Sequence, residues 1–73
     1  MSDLDFEIKQ SIACLSNTKN GWTKEINLVS WNGQEEKYDI RSWSNDHSRM
    51  GKGVTLTKEE LISLREVLDE LLS

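Results

Sequence analysis

Thr57, followed three residues later by Glu60, opens the one stretch of this 73-residue chain whose apolar residues recur at helical spacing. The pair has the form of a capping box, in which each side chain satisfies the other's backbone donor. A helix is therefore expected to close the sequence, and everything before it alternates or turns. Residues 6–16 space Phe6, Ile8, Ile12, Cys14 and Leu15 among polar neighbours and read as a first strand, and the NTKNG cluster at 17–21 reads as a turn. A second strand runs from Trp22 to Trp31, with an alternation that slips at Leu28-Val29 and predicts a bulge. After the Asn32-Gly33 turn, Tyr38, Ile40 and Ser42 alternate with Asp39, Arg41 and Trp43 in a third strand. Residues 44–50 form a polar loop, and 51–56 a short fourth strand. The order ββββα, without repeat or linker, predicts one α+β domain over residues 1–73. Its form is a curved four-stranded antiparallel sheet with one C-terminal helix on one side and a free face on the other.

A chain of this length buries a small share of its surface, and the usual staples are missing. Its single cysteine cannot make an intrachain disulfide, and one cysteine with one histidine falls short of a structural zinc site. At 100° per residue, Leu61, Leu64, Val67, Leu68, Leu71 and Leu72 fill an arc of about 140°, wide for a helix that covers only its own sheet. A homodimer through Leu61, Leu64, Val67, Leu68 and Leu71 is expected, against the plainer alternative of a core helix used on all sides. Cys14, in an apolar alternation, is expected to be a small buried side chain. No metal or cofactor is expected. The acidic start MSDLDFEIKQ does not resemble a secretory signal, and no apolar run approaches the roughly 20 residues that span a bilayer. A soluble, cytoplasmic protein without membrane contact is the expectation.

The net charge of −4 argues against a nucleic-acid ligand only if it is spread evenly, and it is not. Residues 17–52 carry six Lys or Arg against five acids, so the acidic excess lies toward the two ends. Affinity depends on the local field at the face that meets phosphates, and here it should be modest and salt-sensitive. Single strands need flat side chains for stacking and cations along the backbone. Trp22, Lys24, Trp31, Arg41, Trp43 and Lys52 supply both on or beside strands, and they are the candidate DNA-binding residues. The competing readings are core or partner-facing indoles, and an Arg41–Asp39 ion pair on an ordinary solvated face. Catalysis is not indicated. His47 sits beside Asp46 in a polar loop and is expected to be solvated. Glu35-Glu36 are adjacent and point apart, and Gly51-Lys52-Gly53 lacks the spacing of a phosphate-binding loop.

From Trp22 onward the chain resembles the C-terminal single-stranded-DNA-binding domain of the transcriptional coactivator family known as positive cofactor four, most closely its small bacterial YdbC-like members. The segments that carry the resemblance are 21–33, KYDIRSWS at 37–44 and GKGVTLTKEEL at 51–61. The resemblance implies a ββββα fold, a homodimer joined through the helices, and a strand-lined groove that binds single-stranded DNA, with RNA as second candidate, with little sequence preference. By position it marks Trp31, Arg41, Trp43 and Lys52 as groove residues. It implies a role in transcription regulation or in handling melted DNA. A strand-end cation of the family stands here as Val29, so a less positive groove is expected. The serine- and lysine-rich region that precedes this domain in regulated members has no counterpart in the sequence, which argues against a regulated coactivator role. A different class of function, a protein-interaction module using the same aromatic face, remains the alternative.

Overall fold

The computed structural model describes residues 5–18 and 20–73. Four strands, β1 (Phe6–Asn17), β2 (Thr23–Trp31), β3 (Lys37–Trp43) and β4 (Met50–Leu56), precede helix α1 (Lys58–Leu72). They form one antiparallel sheet in the order β1-β2-β3-β4, an up-and-down meander in which every neighbour in sequence is a neighbour in space.

Turn chemistry explains the close connections. Gly21 and Gly33 both have positive φ, as does Asn32 before Gly33, so the Asn-Gly pair takes the left-handed backbone that a tight β2–β3 turn requires. Thr57 caps α1 as expected: its hydroxyl accepts from the Glu60 amide at 3.2 Å, and the Glu60 carboxylate accepts from the Thr57 amide at 2.8 Å.

The bulge expected at Leu28-Val29 is not in β2. That strand pairs with β3 in unbroken register from Thr23↔Trp43 to Val29↔Lys37. The extra residues lie in β1, whose pairing with β2 shifts three times, between Ile8 and Gln10, Ser11 and Ala13, and Cys14 and Ser16. Each shift adds twist to this edge strand. The apparent slip in β2 reflects a strand covered on both faces. Glu25, Asn27 and Val29 are buried on one side, while Ile26 and Leu28 face the other.

The helix lies on the Ile26/Ile40 side, where Leu61, Leu64 and Leu68 line an open groove together with Leu15, Ile26 and Ile40. No residue of α1 is fully buried. Cys14 is exposed, contrary to the expectation of a buried thiol, because its edge strand is covered by no other described element.

The fully buried side chains cluster on the opposite face: Val29 and Trp43 among the apolar residues, with Asn27 and Asp39 beside them. This chain thus has its tightest packing on the face away from its helix. The face expected to be wholly open is in part a core.

Candidate nucleic-acid interface

Strand alternation places Thr23, Glu25, Asn27, Val29 and Trp31 of β2 beside Lys37, Asp39, Arg41 and Trp43 of β3 on the face away from the helix. Phe6, at the start of β1 and opposite Trp31 in register, folds its ring over this shelf. Its centroid is 5.9 Å from Trp31 and 5.1 Å from Trp43, in tilted contacts typical of aromatic packing. Trp43 is 0% exposed. On its other flank His47 lies 5.5 Å away. Trp43 is therefore the floor of an aromatic cluster, not the open stacking platform that alternation alone predicts.

Arg41 is likewise committed within the chain. Its Nε donates to Asp39 Oδ1 at 2.7 Å and its Nη2 to Asp39 Oδ2 at 2.8 Å, a bidentate pair within one strand. Nη1 donates to the Gly51 carbonyl at 3.4 Å, and the guanidinium carbon sits 4.5 Å from the centre of the Trp31 ring. The Asp39 side chain is 0% exposed, so this is a buried ion pair, not a solvated one. Gly53 stands opposite Arg41 in the register, and a Cβ there would come within 2.3 Å of both Arg41 Cβ and the Ile40 carbonyl oxygen. Glycine is what lets β4 close against the arginine strand.

The remaining candidates separate. Trp31 is half-buried and lines an open pocket with Gln34, Glu35, Lys37, Arg41 and Thr55. Trp22 is half-buried just before β2, its carbonyl accepting from both the Thr18 amide and hydroxyl. Lys52 is exposed next to the register shift in β4. Lys24 alternates with Glu25 and so shares the helix side of the sheet with Ile26, which removes it from the aromatic cluster. Val29, standing where the resemblance places a cation, is 0% exposed and closes the cluster from below.

Sequence reasoning missed a polar network beside the aromatics. The Glu25 carboxylate accepts hydrogen bonds from the Thr23 hydroxyl, from Asn27 Nδ2 at 3.0 Å, and from His47 Nε2, which lies 3.1 and 3.0 Å from its two oxygens. Asn27 Oδ1 in turn accepts from the Ile12 amide at 3.3 Å, next to one of the β1 register shifts. Burial opposes the charge on Glu25, yet the hydrogen bonds from Thr23, Asn27 and His47 outweigh it and hold its pKa below the ordinary glutamate value. His47, expected to be solvated, is thus tied to the sheet. Asp46 organises the loop that presents it: the Ser48 hydroxyl and amide, with the Ser44 hydroxyl, bond its carboxylate and lower its pKa to about 2.

Residues 18–67 match the family model described as Transcriptional Coactivator p15 (PC4). The chain belongs to the PC4 family. A relative from Treponema pallidum (strain Nichols), itself described as an uncharacterized protein, is 49% identical over 69 residues, covering 94% of this chain and 81% of that one. The PC4 family binds single-stranded DNA, is coactivator-like, and is not a family of enzymes. The match takes in β2, β3, β4 and most of α1, hence the Trp31 pocket and the Arg41–Asp39 pair, while β1 with Phe6 lies before it. Among the described residues no group of His, Cys, Asp or Glu is arranged to hold a metal, and no helix is long and apolar enough to cross a membrane.

Proposed function

We propose that this protein binds single-stranded DNA in a sequence-tolerant way along the sheet face away from its helix, as a homodimer, and through that acts in transcription regulation or in the handling of melted DNA. The observation that carries the reading is the pocket at Trp31, where an indole backed by Arg41 stands beside Lys37 in an open, strand-lined surface. A base stacked on such a shelf contributes about 1–3 kcal/mol. Trp22 and the exposed cations Lys37, Arg49 and Lys52 extend the contact area. Arg41 and Trp43 support the shelf from within. The buried indole N–H groups of Trp31 and Trp43 have no acceptor among the described residues.

The dimer is supported by what the helix leaves uncovered. Val67 is 59% and Leu71 71% exposed, and Leu68, Leu72 and Ile62 are exposed beside them. The chain has 5719 Å² of accessible surface. A compact chain of its mass should have about 4,600 Å². Its radius of gyration is 13.3 Å, where about 11 Å is expected. The surplus area is of the size that one partner contributes to a standard interface, about 800 Å². A second copy lying on Leu61, Leu64, Val67, Leu68 and Leu71 accounts for it.

Titration of a labelled oligo-dT against a duplex of equal length tests the reading. With about three phosphate contacts per chain, single-strand affinity should fall roughly twentyfold between 50 and 200 mM salt, with the duplex bound far more weakly. Equal binding of both, or binding indifferent to salt, would favour an apolar protein-interaction surface instead.

A further inference from the structure

The network around Glu25 contains the only histidine of the chain. His47 has a φ of 60°, a left-handed conformation that a non-glycine residue keeps only when its surroundings hold it there. Here the ring lies against Trp43, the Nε2 atom faces both oxygens of a buried carboxylate, and the backbone amide donates to the Ser44 carbonyl at 2.9 Å. A carboxylate only accepts hydrogen bonds, so Nε2 must carry a proton whether the imidazole is neutral or charged. Nδ1 has no hydrogen bond to the described residues, and the second proton therefore adds there.

We infer that His47 is a positioning residue of the single-strand site. Its imidazolium, clamped on Glu25, fixes the loop from Ser44 to Arg49 against the start of β2, so that strand binding and protonation of His47 favour each other. The inference rests on the single-strand reading and adds a regulation to it.

The loop is where such a clamp matters. It is closed by bonds of its own, Ser44 amide to the Arg49 carbonyl at 3.0 Å and Arg49 amide to the Ser44 hydroxyl at 2.9 Å. It carries the exposed Arg49 and leads within three residues to Lys52, two of the three free cations assigned to the phosphates. Its ties to β2 are the two contacts of His47 Nε2 with Glu25.

Charged and titratable groups face the ring from the elements packed against it. From β2, Glu25 faces it directly, with a pKa already held down so that it stays ionised. From β3, Trp43 faces it, and Arg41, opposite Glu25 in register, is neutralised by Asp39. From β1, Cys14 is the register partner of Glu25, and from β4, Met50 stands opposite Trp43. Within the loop, Asp46 adds negative charge and Arg49 positive charge. The sign follows. The charge-assisted bond is present when Glu25 is ionised and His47 protonated, and it weakens to a neutral bond when the ring gives up its second proton. Charge assistance roughly doubles a hydrogen bond's strength, which corresponds to an effect on affinity of up to about fivefold.

The test is binding of rhodamine-labelled oligo-dT to the full chain at several pH values from 5.5 to 7.0, at constant ionic strength, below the range where a terminal amine or a thiol titrates. Wild-type affinity should fall as pH rises. His47→Gln, which keeps a donor without a titrating group, should give a flat profile, and Glu25→Gln should be weaker at pH 5.5 and flat. A measurement on the unmutated protein guards against a misfolded variant. By reciprocity, saturating oligo-dT should move the titration of the His47 ring proton, followed by NMR, to higher pH. Tight binding with a flat wild-type profile and an unmoved ring titration overturns the inference alone. Stronger binding by Glu25→Gln at pH 5.5 also overturns it, since the freed imidazolium would then be a direct phosphate ligand. Absence of oligo-dT binding at every pH overturns the single-strand reading and this inference with it.

Discussion

Removing the carboxylate of Asp39 should destabilise this protein far more than its place in a solvent-facing alternation suggests. Asp39 is fully buried, accepts two hydrogen bonds from Arg41 at 2.7 and 2.8 Å, and is the only acidic partner of that guanidinium among the described residues. Asp39→Ala leaves a largely buried cation with the Gly51 carbonyl, the Met50 sulfur and the Trp31 face as its remaining partners, none of them charged. Breaking a buried pair from one side costs about 3–5 kcal/mol, mostly because the other charge is left uncompensated. A chain of this length has a total stability of roughly 4–11 kcal/mol, so the loss is a large part of the whole. Replacing both partners, as in Asp39→Ala with Arg41→Met, removes the stranded charge and should recover part of it. The assay is urea unfolding at pH 7 and one fixed protein concentration, since the proposed dimer would make apparent stability depend on concentration. A loss below about 1 kcal/mol for Asp39→Ala, the range of exposed pairs, with no recovery in the double variant, would show that Arg41 is a free surface cation after all.

Other expectations follow from the same geometry. Gly53→Ala forces a methyl group against Arg41 Cβ and the Ile40 carbonyl and should cost about 1–3 kcal/mol by thermal unfolding, whereas Gly33→Ala meets no close atom and acts only through its positive φ. Leu71→Glu changes a side chain that is 71% exposed within one chain, so it should be near neutral for a monomer; sedimentation should instead show dissociation of the dimer. Glu25→Gln should be less stable than wild type near neutral pH. Because the folded-state pKa of Glu25 is lowered, its contribution is present above the ordinary glutamate value and fades as pH falls below it, so the two proteins should converge in acid.

Much of the fold was legible because its signals are local. The capping box at Thr57 and Glu60, the Asn32-Gly33 turn and the clean alternation of 38–43 each depend on a few neighbouring residues, and each stands where expected. The candidate site was less legible, because alternation tells which residues share a face and not what covers that face. Asp39, Arg41 and Trp43 do share one, but Phe6, more than thirty residues earlier in the chain, folds over it. Nothing near Glu25 and Asn27 in sequence shows that His47 and the Ile12 amide will meet them. The slip at Leu28-Val29 was real as a pattern, but its cause is burial on both faces of β2, with the bulges on the partner strand. Cys14 shows the converse: an apolar alternation on an edge strand guarantees no cover.

The most direct test of the account is an NMR titration of the isotope-labelled protein with oligo-dT, following backbone amides and the three indole N–H signals. The account predicts shifts concentrated at Trp31, Lys37, Trp22 and the 44–52 segment, with the exposed face of α1 unaffected. Shifts confined to α1 and the Leu15/Ile26/Ile40 side of the sheet, with the Trp31 indole unmoved, would contradict it.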